Sequence, residues 1–125
     1  MSNYDDIAKQ FVQAFYQTFE TDRSQLGSFY RDHSMWTFEK NQVQGSSAII
    51  EKLRDLPFQK VLHQISTLDA QPCSLNGQDI LIVVTGQLVI DDSEHPQLFT
   101  EVFHLVNEGG NYYVFNDMFK FVYGS

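Results

Sequence analysis

The sequence predicts one α+β domain in which two helices pack on one face of a bent, mainly antiparallel sheet. Three observations carry that expectation. Apolar residues recur at a helical period near the start, runs rich in β-branched and aromatic residues fill the second half, and turn chemistry separates those runs. Helices first and consecutive strands last is the α+β order, and 125 residues leave room for a single domain, 1–125.

Ile7, Phe11, Phe15 and Phe19 recur every fourth residue, and Val12 and Tyr16 widen the stripe. With Asp5 and Asp6 placed where the helix dipole favours negative charge, they predict a first helix from Asp5 to Phe19. Thr21, Asp22 and Ser24 can cap a short helical turn through Leu26, with Gly27 as its stop. Ser34 to Glu39 reads as a strand and Lys40 to Gln44 as its hairpin mate. A second helix is expected from Ser46 or Ser47 to Leu56, ended by Pro57, with Ile49, Ile50 and Leu53 facing inward. Strands follow over Lys60 to Asp69, Asp79 to Ile90, Leu98 to Asn107 and Tyr112 to Tyr123. Ser74 to Gly77, Asp91 to Pro96 and Glu108 to Gly110 supply the turns between them.

The long strands are apolar on both faces. Tyr113, Phe115, Phe119 and Phe121 share one parity of the last strand, and Tyr112, Val114, Met118 and Val122 the other. A sheet with one solvated face would alternate polar residues there, so the helices are expected to cover one side and a second copy of the chain the other. Val83, Val102 and Met118 are the residues expected at that homodimer interface.

Eleven Phe and six Tyr, within an aromatic fraction of 14%, exceed what a minimal core needs and point to a partner surface. A formal charge of −8 repels a phosphate backbone, which argues against nucleic acid as a partner. Cys73 is the only cysteine, so neither an internal disulfide nor a multi-Cys zinc site can form, which fits a reducing compartment. The N-terminal MSNYDDIAKQ has no apolar signal core, and no run approaches the roughly 20 apolar residues of a membrane span. A soluble, intracellular protein with no membrane partner is the expectation. The glycines form no phosphate-cradling loop, and His33, His95 and His104 lack metal-ligand spacing, so no cofactor or metal is expected.

Four segments carry a family resemblance: Thr21 to Gly27 (TDRSQLG), Leu56 to Lys60 (LPFQK), Thr67 to Pro72 (TLDAQP) and Phe115 to Phe119 (FNDMF). In collinear order over nearly the whole chain, they resemble the nuclear transport factor 2 family, especially its fungal members. The resemblance implies a cone-shaped α+β fold with a strongly bent sheet, dimerisation through the sheets, and no enzymatic role. It also implies carriage of the GDP-bound GTPase Ran into the nucleus with help from phenylalanine-glycine nucleoporin repeats, between cytoplasm and nucleus and concentrated at the pore. In that family an aromatic residue of Ran enters an apolar cavity whose acidic rim pairs with Ran's basic side chains. The first rim acid falls on Glu39 and the acidic loop on Asp91, Asp92, Ser93 and Glu94. The family places acids at alternate positions of that loop; here Ser93 takes the second, which leaves Asp92 and Glu94 as alternatives beside Asp91. The family's N-terminal aromatic, a nucleoporin contact, falls on Tyr4.

Strand parity also suggests a hollow. Val61, His63 and Ile65 share a side of their strand, as do Leu88 and Ile90, and Phe115, Asp117 and Phe119. If those sides are concave, Phe38, Phe58, Val61, His63, Leu88, Ile90 and Phe119 line an apolar cup with Glu39 and Asp91 near its rim. The alternative is an ordinary closed core, with the acids as solvated turn charge. His63 and Asp117 leave two further readings open: a dehydratase or isomerase built on the same fold, with His63 as acid or base, and a hydrogen-bonded core histidine. A peptide-docking scaffold domain of this fold is a third function class, against which the absence of a disordered extension beyond Ser125 is counted.

Overall fold

The structure is a computed structural model that describes residues 3–123. Met1, Ser2, Gly124 and Ser125 lie outside the described residues, and with them the readings that depend on where the chain begins and stops. Helix α1 (Tyr4–Asp22) opens the fold, and a 3-10 helix (Arg23–Phe29) leads into β1 (Tyr30–Phe38) and β2 (Asn41–Gln44). Helix α2 (Ser46–Arg54) follows, then β3 (Val61–Pro72), β4 (Ile80–Ile90), β5 (Gln97–Glu108) and β6 (Asn111–Phe121).

The strands form one mixed sheet in the order β2-β1-β6-β5-β4-β3. Only β1 and β6 pair in parallel; the other neighbours are antiparallel. Strand β1 starts four residues ahead of the predicted Ser34, because Tyr30 already pairs with Val114. The 3-10 helix runs on through Gly27 to Phe29, so Gly27 is not its stop: the Gly27 carbonyl accepts the Tyr30 amide and the Ser46 hydroxyl instead. Asp22 is the N-cap, its carboxylate accepting the Ser24 amide at 3.1 Å.

On α1 the fully buried line is Ala8, Val12, Phe15 and Tyr16, with Ile7, Phe11 and Phe19 on its flanks. The stripe is therefore centred one residue away from the predicted phenylalanine row. Phe15 is its hub, within 4.9 Å of Phe103 and 5.5 Å of Phe29, centroid to centroid, in edge-on contacts. Each such pair adds about 0.5–1.5 kcal/mol beyond simple burial.

Two bulges decide which side chains share a face. In β6 the register passes from Asn116 opposite His104 to Val114 opposite Leu105, so Phe115 is the extra residue. The parity flips there: Val114 is buried, while Phe115 turns to the other face and meets His33 and His104. The expected common face of Phe115 and Phe119 is thereby corrected. In β3 the extra residue is Ser66, and Ile65, 42% exposed, leaves the concave side. Opposite Ile65 stands Gly86, where a Cβ atom would lie 2.2 Å from the Gln64 carbonyl oxygen. Only glycine permits the two backbones to approach so closely.

On the face away from the helices, Val83, Val102 and Met118 lie side by side across β4, β5 and β6. Val83 is 36% exposed and Met118 48% in the single chain. No helix among the described residues is long and apolar enough to cross a membrane.

Candidate functional site

Between the helices and the concave face of the sheet lies a ring-walled pit. Helix α1 contributes Phe15 and Phe19, β1 contributes Trp36 and Phe38, and α2 contributes Leu53. Phe58 comes from the coil before β3, His63 and Leu88 from β3 and β4, and Glu101, Asp117 and Phe119 from β5 and β6. Phe38 stacks on Phe119 with centroids 4.8 Å apart and planes 6° from parallel, and Phe119 stacks in turn on Phe99 at 5.3 Å. The cavity left among these side chains is about 10 Å³, room for roughly one water molecule. The chain's own rings thus nearly fill the hollow in the single chain, so the expected open cup is a closed slot here.

Phe38, Phe58, His63, Leu88 and Phe119 are brought together in this wall, as expected. Val61 and Ile90 are not. They pair with each other at the end of the β3–β4 ladder, two residues beyond the His63–Leu88 pair, and that places Val61 in the core and Ile90 at its edge.

The floor of the pit is polar. Glu101 and Asp117 are 4% and 0% exposed; the Tyr16 hydroxyl donates to Glu101 Oε1 and the Tyr30 hydroxyl to Asp117 Oδ2, each at 2.8 Å. Asp117 Oδ1 has no hydrogen-bond partner of ordinary geometry among the described residues. Burial drives the Glu101 pKa well up, and the charge of Asp117 drives it further. Burial also raises Asp117, to about 6, with hydrogen bonds from Glu101 and Tyr30 working against the rise. Two carboxyls in so dry a place do not both ionise, and the pair holds a proton more tightly than either acid would in water. Burial likewise pushes the Tyr16 and Tyr30 phenols upward, so both remain hydrogen-bond donors.

His63 is fastened on two sides. Its Nδ1 lies 2.9 Å from Glu20 Oε2, its amide donates to the same oxygen at 2.6 Å, and its ring stacks on Tyr16 at 3.8 Å. Burial lowers its pKa, Glu20 opposing, so the imidazole is neutral near pH 7. For Glu20 burial acts upward, but the bonds from His63 prevail and the carboxyl sits below its ordinary value.

The expected rim acids stand on two turns in left-handed backbone: Glu39 at φ 59°, Asp91 at 51° and Asp92 at 59°. None of them lines the pit itself. The Glu39 amide donates to the carbonyl of the pit residue Phe119 at 3.0 Å, which sets it directly beside the Phe38–Phe119 stack. Asp91 Oδ1 accepts the Gln59 and Lys60 amides at 3.0 and 2.7 Å, so this carboxylate anchors the coil that carries Phe58. Asp92 pairs with Lys60 Nζ at 2.9 Å, and Glu94 is exposed on the same turn. Arg23 closes the coil from the other side, donating to the Leu53, Leu56 and Phe58 carbonyls with its guanidinium 5.4 Å from the Phe58 ring centroid. At the far end of α1, Tyr4 packs against the core with its hydroxyl near Gly77.

Glu101, Glu20 and Arg23 escaped the sequence reading. Glu101 had a legible signal, since it interrupts the buried alternation Phe99, Phe103, Leu105 of β5 with a charge. Glu20 and Arg23 had none, because their partners lie 43 and 30 to 35 residues away.

The family model described as the nuclear transport factor 2 domain matches residues 7–121. Proteins named nuclear transport factor 2 from Candida glabrata and Saccharomyces cerevisiae are each 54% identical to this chain over 123 residues, covering 98% of it and 98% of themselves. The solved structure of nuclear transport factor 2 from Cryptosporidium parvum superposes with a TM-score of 0.88 at 43% identity, covering 96% of this chain and 95% of that one.

Proposed function

Because the chain belongs to the nuclear transport factor 2 family, we propose that it carries GDP-bound Ran into the nucleus, taking an aromatic side chain of Ran into the pit while rim acids hold Ran's cations. The observation that carries this reading is the juxtaposition of a ring-walled slot with Glu39, whose amide is bonded to the pit residue Phe119. Burying one phenylalanine side chain is worth about 1.5–3 kcal/mol, and charge pairs desolvated by the same contact fix its orientation. A guest ring enters only if wall side chains part. Phe58 is the wall carried on coil rather than on a helix or strand, and it is the side from which we read entry.

The same reading assigns Asp91, with Asp92 or Glu94, as the second acidic contact, and the Val83, Val102 and Met118 row as a homodimer interface. Tyr4 and the neighbouring surface of α1 are assigned to phenylalanine-glycine nucleoporin repeats. A dimer offers such repeats paired weak sites, which gives avidity with rapid exchange at the pore between cytoplasm and nucleus. The role is a carrier's rather than an enzyme's: the His63 ring lies flat on Tyr16 with Nδ1 committed to Glu20, which suits a structural histidine better than an acid or base for a bound substrate.

Calorimetry of the full chain against Ran loaded with GDP and then with a GTP analogue tests the proposal. Binding to the GDP form alone is expected; equal affinity for both forms, or none for either, overturns it.

A further inference from the structure

The last strand and the residues just after it grip Glu39 at three points, and we infer that Tyr123 and Lys120 are positioning residues that aim the Glu39 carboxylate at a cation of the partner; the inference rests on the Ran reading above. Glu39 occupies a left-handed conformation, φ 59°, which a non-glycine residue keeps only where its surroundings enforce it. Here the enforcement is visible. The Glu39 amide donates to the Phe119 carbonyl at 3.0 Å, Lys120 Nζ donates to the Glu39 carbonyl at 2.8 Å, and the Tyr123 hydroxyl donates to Glu39 Oε1 at 2.6 Å. Backbone and side chain of one turn residue are thus fixed from residues 119, 120 and 123 together.

The division of labour matters for the charge. Lys120 reaches the carbonyl rather than the carboxylate, so the cation steadies the turn without forming an ion pair on the acid. Tyr123 supplies a neutral donor, which orients a carboxylate and leaves its charge and further lone pairs for a lysine or arginine arriving from outside. A surface glutamate without such a donor spreads over several rotamers and must be ordered when a partner binds.

Tyr123 is linked in turn to the wall of the pit through Phe121. Its ring lies 6.5 Å from Phe121, which lies 5.1 Å from Phe119 and 6.0 Å from Phe38, centroid to centroid. A line of rings therefore joins the slot that takes the guest side chain to the hydroxyl that aims the rim acid. Both halves of the grip share one support.

A double-mutant cycle by calorimetry, with Ran loaded with GDP as the probe, tests the inference on Tyr123→Phe, Glu39→Gln and the two combined. Tyr123→Phe keeps the ring, so the melting temperature and the dimer mass are expected to hold. Its affinity is expected to fall about 3- to 10-fold, the range for losing one hydrogen bond. Combined with Glu39→Gln, it is expected to add no further loss. An unaltered or tighter Tyr123→Phe complex, or an equal loss in the Glu39→Gln background, overturns the inference alone. Unchanged affinity of Glu39→Gln by itself overturns the Ran reading as well.

Discussion

Tyr16 and His63 lie face to face, ring centroids 3.8 Å apart and planes 6° from parallel, with the Tyr16 hydroxyl on Glu101 and the His63 Nδ1 on Glu20. One stacked pair thereby joins a carboxyl whose pKa burial raises to one whose pKa its bonds from His63 lower.

Glu20 holds the His63 pKa up against the downward pull of burial. In Glu20→Gln the imidazole is expected to titrate lower than in the parent, because the charge that favours the imidazolium is gone while burial remains. Proton-detected NMR titration of the His63 ring checks this, and an unchanged or higher value contradicts the assignment.

The Glu101 and Asp117 pair makes the fold weaker as the solution becomes less acidic. Burial raises Asp117 to about 6 in the folded chain, from 3.8 as a free side chain. A carboxyl raised in this way contributes stability that is complete below its unfolded value and is lost as pH rises through the folded one. The groups facing it are Glu101 from β5, Tyr30 from β1, Tyr16 from α1 and His63 from β3. Melting curves are therefore expected to drop between about pH 4 and pH 7. Glu101→Gln, which removes one of the two buried acids, is expected to flatten the slope and to gain about 1–3 kcal/mol at pH 7.5.

Gly86→Ala is expected to cost about 1–3 kcal/mol or more in urea denaturation. The new methyl would sit 2.2 Å from the Gln64 carbonyl oxygen, backbone against backbone, with no flexible side chain able to give way. A neutral result would show that the Ser66 bulge relaxes freely.

Val102 is the middle of the exposed row, flanked by Val83 and Met118 on the neighbouring strands. Val102→Glu would place an unpaired charge at the centre of the proposed homodimer interface, and a monomer mass by light scattering with an intact far-UV spectrum is expected. A dimer that persists would move the interface elsewhere.

Glu39→Lys reverses the charge beside the Phe38–Phe119 stack. Ran-GDP binding is expected to fall at least 30-fold, roughly 2 kcal/mol or more, with the dimer mass unchanged. Retained affinity in calorimetry would remove Glu39 from the rim.

By itself, the sequence determined the elements and most of their ends, since helical period, strand alternation and turn residues are local properties that neighbours along the chain impose on one another. The motifs carried the family, and with it the expectation of Glu39, while strand parity suggested the five wall residues that the fold does bring together. Only tertiary structure decided which face each strand residue takes: the bulges at Ser66 and Phe115 each insert one residue, and a single insertion reverses a period of two. It also decided the charge state of the floor and the aim of the rim. Glu101 and Asp117, Glu20 and His63, Tyr123 and Glu39 meet through long-range folding, and burial and hydrogen bonding act on a side chain only once those partners stand beside it.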